Sequence, residues 1–426
     1  MSTNIVKNIF KVLLYLGIVN LFFAILIYSF QLPFSAALIA VIGLVCIAIS
    51  FNGFERLKGF AYTVWILVAI TLGMCFPSHF ITWGDFELKR VIIPFTQITM
   101  LGMGAQMSFD DFKGVVKMPK GVLIGLICHF TVMPLIGYTL SKTFHFPPEI
   151  AAGVVLIGCV PSAMASNVMS FLAKANLALS VTVGAIGTML APFLTPLLMQ
   201  WLGGAYVEIN VLKMMMEIIN MIIFPIIAGF IFNMFYHRNA TPKAMKVQLS
   251  AFALIIIITI IVLHFSMKNP VETSLKTFGN IMFWFYLLPM VITLILRNIR
   301  KITKQHISNA LGFIAMMGIV INTVVITSAG RDNFIQVGWL LVLSCLLHNV
   351  IGYTIGYSTA TLFRLPIPDR RTIAFEVGMQ NGGVATGLAL EIGKIATVGL
   401  ASAIFGPLQN LTGSALVNIF KRRPID

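Results

Sequence analysis

Residues 376–383 read Glu376-Val377-Gly378-Met379-Gln380-Asn381-Gly382-Gly383, an acid, two amides and a pair of glycines set inside an apolar run near 372–390. An ionisable group within a bilayer-spanning run is costly and marks a functional site by default. Two consecutive glycines weaken a continuous helix. Irregular backbone at membrane depth is tolerated only where it is buried in protein or lines a cavity. The stretch therefore reads as a broken helix with polar groups gathered at the break.

A counterpart lies in the first half of the chain, Gly158-Cys159-Val160-Pro161-Ser162-Ala163-Met164-Ala165-Ser166-Asn167, where Pro161 interrupts the hydrogen-bond ladder and a hydroxyl and an amide follow. Sliding the chain on itself by 219 residues brings His129 onto His348, Gly137 onto Gly356, Tyr138 onto Tyr357 and Pro147 onto Pro366. Uncommon residues coinciding at one offset imply two halves descended from one unit. Paired interruptions at corresponding positions of two halves are the sequence pointer to a transporter's binding site. The plainer alternative is a pair of kinks whose polar groups satisfy themselves.

The runs that these breaks interrupt are many. Of 426 residues, 58% are apolar and 10% charged, against about 45–50% and about 25% in soluble domains, so most of the surface must face something other than water. Such a composition is that of a polytopic, all-α membrane protein, and it excludes disordered, collagenous and disulfide-scaffold classes. The five cysteines (Cys46, Cys75, Cys128, Cys159, Cys345) sit in apolar runs, with no C-x-x-C pair and no histidine cluster beside them, and read as small packing residues.

A bilayer core takes about 17 to 25 mostly apolar residues per helix. Fourteen such runs lie near 10–30, 33–52, 60–77, 91–108, 121–141, 150–173, 177–202, 214–236, 248–266, 279–296, 307–329, 336–363, 372–390 and 395–420. With both termini in the cytoplasm, the alternating loops divide all 29 Lys and Arg residues 21 to 8. The smaller set is Lys89, Arg90, Lys142, Lys213, Lys268, Lys276, Arg331 and Lys394. The loops are short, so this bias sets orientation. It also accounts for the net charge of +15 without a nucleic-acid partner. Lys7 and Lys11 precede an apolar stretch longer than the about 7 to 15 residues of a signal peptide, and no small-x-small cleavage site follows it, so the first run reads as an uncleaved helix. His129 lies in the fifth run and His348 in the twelfth, so the two copies point oppositely, as in the inverted repeats of many secondary transporters.

Twelve of the fourteen acidic residues fall in loops, at a terminus or at span ends, leaving Glu217 and Glu376. Glu217 stands near the start of its helix, within reach of the headgroups, and reads as structural. At the breaks, carboxylate, hydroxyl and amide oxygens suit a hard cation, whereas thiol and imidazole clusters for transition metals are missing. One buried carboxylate balances one monovalent cation. The N-termini of broken helices attract anions. A cation site beside an anion site implies symport. A channel should instead show rings of polar residues along a continuous path. An intramembrane enzyme should show a nucleophile with its base or a metal motif, and neither a Ser-His-Asp arrangement nor H-E-x-x-H is present. Cation:proton exchange, or proton-coupled anion transport, on a similar inverted plan is the nearer rival.

At these segments the sequence resembles the bile acid:sodium symporter family. The resemblance is carried by Gly158-Cys159 through Ser166-Asn167-Val168-Met169, by Asn176-Leu177-Ala178-Leu179-Ser180, by Leu347-His348-Asn349 with Gly352-Tyr353, and by Glu376 through Asn381. It covers roughly residues 60–236 and 305–420. Membership would imply ten core helices in two inverted five-helix repeats, split into core and panel domains, with broken helices crossing near the midplane. Two hairpins would be extra, giving about 14 transmembrane helices: residues 1–59 ahead of the first part (60–240), and 241–304 inserted before the remainder (305–426). Both hairpins read as lipid-facing buttresses or contacts on the panel domain or a second copy.

By that resemblance one sodium ion would be held by Ser166, Asn167, Ser180 and Glu376. A second would take Glu376 again with Gln380 and the carbonyls of Val377 and Met379. Asn381, with Met164 beside it, would face the organic anion, bile acid-like or a small carboxylate. The implied partners are that anion, sodium as coupling ion and membrane lipid, with no other cofactor, in a bacterial inner membrane. Three positions depart from the family pattern. Gly184 stands where a threonine hydroxyl is common, with Thr182 nearby as a substitute. Met164 replaces a polar residue. His129 stands where a glutamine is common, and a neutral imidazole offers one lone pair against an amide oxygen's two. That departure implies fewer sodium ions, a proton moving through His129, or a packed ring with no transport role. A proton role would make His129→Gln alter the pH profile of uptake.

Overall fold

In hydrocarbon no water meets a backbone N–H or C=O, so a chain this apolar satisfies its peptide groups inside helices. The computed structural model describes residues 3–54, 57, 60–107, 114–236, 291 and 304–423. Its first part holds α1 (Thr3–Ser29), α2 (Pro33–Ser50), α3 (Ala61–Cys75), α4 (Ile92–Gly104) and α5 (Pro119–Thr143). Then come α6 (Pro148–Cys159), α7 (Ala165–Leu172), α8 (Leu177–Leu198), α9 (Val211–Ile218) and α10 (Phe224–Tyr236). The second part holds α11 (Lys304–Ala329), α12 (Arg331–Leu362), α13 (Ile367–Gly378), α14 (Gly382–Glu391) and α15 (Val398–Lys421). Among the described residues, six helical stretches are long and apolar enough to cross a membrane: Asn8–Ser29, Pro33–Gly53, Pro119–Thr143, Leu177–Gly203, Val211–Asn233 and Arg331–Leu362.

Each apolar run that falls on described residues coincides with a helix or a pair of half-helices; the runs near 248–266 and 279–296, with the inserted hairpin 241–304, lie outside them. The run 150–173 is divided into α6 and α7, and the run 372–390 into α13 and α14. One feature departs from an all-helical reading. Between α3 and α4, Thr82–Trp83 pairs antiparallel with Phe86–Glu87, turning through Gly84 at φ +59°. Trp83 and Phe86 are exposed there, so this short ladder is a loop device.

Helix bounds repeat at the offset found in the sequence. Adding 219 carries Thr143 onto Leu362, Pro148 onto Ile367, Cys159 onto Gly378 and Leu172 onto Glu391, so α5, α6 and α7 end where α12, α13 and α14 end. The broad turns are also legible in the residues. Pro225 has no N–H to return to the preceding turn, and the π-turn Ile219–Ile223 that joins α9 to α10 lies just ahead of it.

Two packed groups result. Helices α5, α6, α12, α13 and α15 pack on one another, with α8 against α5 and α13, while α3, α4, α10 and α11 form the other group. The first group is centred on α6, whose residues Ile150 to Cys159 are all buried. A helix apolar all round belongs in such a place. Its glycines set the spacing. A Cβ on Gly153 would stand 2.4 Å from Val398 O, and one on Gly158 would stand 2.5 Å from Met133 O. The N-terminal hairpin is peripheral, with α1 on α2 and α2 on α3.

Candidate cation site where two broken helices cross

Pro161 disfavours helical backbone in the residue before it, and Val160 is extended there, at φ −79° and ψ 159°. The second break needs no proline. Met379 is extended (φ −102°, ψ 126°), and Asn381 starts α14 by accepting a hydrogen bond on its side chain from Val384 N. The glycine pair lies inside the first turn of α14 and not in the break itself, a shift from the expectation that Gly382 and Gly383 open it. A Cβ on Gly382 would meet Ser402 O at 3.3 Å, so at that position closeness to α15 is what a small residue serves.

The two breaks run antiparallel past each other with Ser162 opposite Gln380. Ala163 N donates to Met379 O (3.2 Å) and Asn381 N donates to Pro161 O (2.9 Å). The remaining carbonyls find side chains. Thr195 Oγ1 donates to Cys159 O at 2.7 Å, and Asn349 Nδ2 donates to Gly378 O at 2.8 Å. Gln409 holds Gln380 from both sides, accepting from its N–H at 2.7 Å and donating to its carbonyl at 2.9 Å. Backbone groups lost from two helices are thus re-paired away from water, the condition for a break at this depth.

Within this frame Glu376, with no exposed surface, carries its carboxylate between α7, α8 and the first break. Ser166 Oγ and Ser180 Oγ each donate to Oε1 at 2.5 Å, and Ser162 Oγ donates to Oε2 at 2.7 Å. Ser180 Oγ also reaches Asn167 Oδ1 at 2.8 Å, and Ser166 Oγ also reaches Ala163 O at 2.7 Å. A hydroxyl has one proton, so Ser180 and Ser166 each face two acceptors with one donor. An oxygen cluster richer in lone pairs than in protons is suited to a hard cation. The structure therefore brings Ser166, Asn167, Ser180 and Glu376 together. It adds Ser162, which the sequence reading had passed over although it follows Pro161 directly.

The other expected residues are placed differently. Gln380 turns Nε2 to Val377 O at 3.1 Å, and Val377, Met379 and Gln380 are wholly buried. Asn381, 7% exposed, caps α14. Met164 and Asn167 line a cavity of about 310 Å³ with Met103, Gln106, Phe171 and Val181, so Asn167 belongs to the oxygen cluster and to the cavity at once. Glu217 lies elsewhere, in a cleft of about 500 Å³ with Glu149, Lys213, Glu391 and Lys394.

The sequence profile of the sodium bile acid symporter family matches residues 93–275. The chain is similar to the uncharacterized sodium-dependent transporter YocS of Bacillus subtilis, with 34% identity over 370 residues, 87% of this chain and 93% of that protein. The chain belongs to the sodium bile acid symporter family. It is also similar to the probable sodium/metabolite cotransporter BASS1, chloroplastic, of Arabidopsis thaliana, at 27% identity over 365 residues, covering 85% of this chain and 73% of that one. A sodium bile acid symporter family member is a transporter and not an enzyme.

Against the family pattern, the departures take on geometry. A Cβ on Gly184 would lie 3.6 Å from both Glu376 Oε2 and Ser162 Oγ. The position at which family members commonly carry a hydroxyl thus faces the carboxylate, and Ser162 supplies an oxygen beside it. Thr182 Oγ1 is turned toward Gly114 instead, 2.1 Å from where a Cβ on that glycine would lie. His129, in α5, is 2% exposed, with Nδ1 2.8 Å from Glu376 O and Nε2 2.9 Å from Val160 O. Its repeat mate His348 donates from Nε2 to Met133 O at 2.8 Å.

Proposed function

We propose that this chain is a sodium-coupled symporter that carries an organic anion by alternating access between two inverted repeats, in a bacterial inner membrane with both termini in the cytoplasm. One observation carries the reading: a fully buried carboxylate, Glu376, accepts from Ser162, Ser166 and Ser180 at the crossing of two broken helices. A carboxylate withdrawn from water is costly alone and becomes neutral with one monovalent cation. Ser166, Ser180 and Asn167 would hold sodium there together with Glu376.

Asn167 links that cation to the cavity it lines. None of the described residues lining the cavity is charged. The charge of a bound anion would be met by the sodium ion and by the N-terminus of α7, whose helix dipole favours negative charge. Met103, Met107 and Met164 would receive an apolar body, since methionine adapts its shape to the surface offered. Substrate held only when sodium is present is coupling by mutual stabilisation, and coupling of this kind is reciprocal.

The test is uptake of a panel of labelled organic anions into proteoliposomes of the purified chain, with an inward sodium gradient or with potassium in its place. Uptake of at least one anion should require the sodium gradient. In Glu376→Gln it should fall by at least about a hundredfold, more than the loss typical of an outer partner of a metal ligand. Equal uptake with and without sodium, or an active Glu376→Gln, would overturn the reading.

A further inference from the structure

The C-terminal ends of α7, α12 and α15 meet beside the start of α13, at the rim of the bundle that carries the end of the chain. Arg371, near the start of α13 and 4% exposed, fastens them together. Its Nη1 donates to Ala173 O at 3.0 Å, and its Nη2 donates to Arg423 O. The guanidinium lies over Phe420 of α15, 5.1 Å from the ring centre, and Phe420 stacks on Tyr357 of α12.

Around this clasp stand Lys174, Arg364, Arg370, Lys421, Arg422 and Arg423. Arg370 donates from Nε to Leu365 O at 2.6 Å, and the other five are exposed. Among the described residues these segments hold one carboxylate, Asp369, which accepts from Asn176 Nδ2 at 2.8 Å, and none of the cations forms an ion pair. The corner itself does not require the charge. Adding 219 carries His145 onto Arg364, Ala151 onto Arg370 and Ala152 onto Arg371. His145 and Arg364 share left-handed backbone, at φ +52° and +56°, so the first repeat builds the same turn with a histidine and two alanines. The arginines therefore answer to what lies outside the turn.

Each helix end shows the same order of side chains. Phe171 (67% exposed) and Leu172 precede Lys174, Leu362 (79%) and Phe363 precede Arg364, and Ile419 (51%) precedes Lys421 and Arg422. Exposed apolar groups thus lie directly inward of the cations at three separate ends. An acidic protein or a free anion would be matched by the charge alone, whereas a lipid matches both layers, acyl chain inward and phosphate outward. We infer that this rim is a binding surface for anionic phospholipids, their phosphates among Lys174, Arg364, Lys421 and Arg422 and their acyl chains against Phe171, Leu362 and Ile419. The inference does not depend on which ion drives transport, and it goes beyond orientation, which requires only that cations be on one side and not that they be gathered.

The test titrates the purified full-length chain, in a nonionic detergent, with acyl-labelled phosphatidylglycerol or phosphatidylcholine. A cation near an anionic lipid surface is worth on the order of fivefold in affinity, so phosphatidylglycerol should bind at least about a hundredfold more tightly than phosphatidylcholine. Changing Lys174, Arg364, Lys421 and Arg422 together to Gln should reduce that preference to less than about tenfold, while Lys89→Gln with Arg90→Gln, at the other rim, should leave it intact. Equal binding of the two lipids overturns the inference. So does a preference that survives the fourfold change, or one that falls equally with the pair at the other rim. Displacement of phosphatidylglycerol by inorganic phosphate at equal concentration would assign the site to a free anion and overturn the lipid. Should the fourfold variant aggregate, Arg364→Gln with Arg422→Gln is held to a loss of at least about tenfold.

Discussion

Ser162 Oγ donates to Glu376 Oε2 from the residue that follows Pro161, which places a hydroxyl at the carboxylate by way of the broken backbone itself. A hydrogen bond to a charged group is worth about 1.5–3 kcal/mol, so Ser162→Ala should raise the half-saturating sodium concentration by roughly tenfold to a hundredfold. Thr182→Ala should leave it unchanged, because Thr182 Oγ1 is turned toward Gly114, 2.1 Å from where a Cβ on that glycine would lie. Sodium titration of binding or uptake checks the pair; equal effects from the two would remove Ser162 from the cation site. Residue types at the first break were readable as polar, but which hydroxyl turns inward depends on an extended Val160 and on where α8 lies against α13. Gly184 shows the same point from the other side, since its space beside Glu376 Oε2 is a property of packing that one letter in a sequence does not contain.

Half-helix α6 sits among α5, α15 and α8 with no lipid-facing side, and its closeness to α15 depends on Gly153. A Cβ there would press on backbone, Val398 O at 2.4 Å, so relief would require the helices to part. Gly153→Ala should therefore destabilise the protein by about 1–3 kcal/mol, the range for overpacking a tight core. Gly187→Ala in α8 would meet only ordinary van der Waals contact, Leu126 Cδ2 at 3.5 Å, and should stabilise by about 0.5–1 kcal/mol through its backbone alone. Melting in detergent, followed by size-exclusion chromatography, reads both. Two interrupted runs are evident from Pro161 and from the polar stretch at 376–383, because a proline and a glycine pair oppose a continuous ladder. The exact seat of the second break is not, since Asn381 ends the extended segment by capping α14, with the glycines already inside its first turn.

Across the whole molecule, basic residues divide 21 to 8 between alternate loops if both termini lie in the cytoplasm, the arrangement in which short loops direct orientation. An impermeant maleimide tests this on intact cells. The described residues include one exposed cysteine, Cys75, so Cys75→Ser is the background. Lys89→Cys, on the loop ahead of α4, should label from outside. Lys174→Cys, between α7 and α8, should label only after the cells are opened. The reverse pattern would invert the topology. The ion pair of Lys89 with Glu87, at 3.1 Å and half exposed, is worth at most about 1 kcal/mol, so its loss should not disturb the fold.

Periodicity, span length and charge bias were sufficient to determine that the chain is a bundle of apolar helices, that two of them break at corresponding places, and that an acid lies at one break, because lipid leaves an apolar chain few ways to satisfy its backbone. Only the tertiary structure decided which atoms meet. That Ser162 joins Ser166 and Ser180 around Glu376, that Gln409 and Asn349 repair the second break, and that His129 spans Glu376 O and Val160 O all rest on groups brought together from 29 to 247 positions apart. Such contacts follow from how helices pack around one buried charge, and packing is settled by shapes meeting in three dimensions.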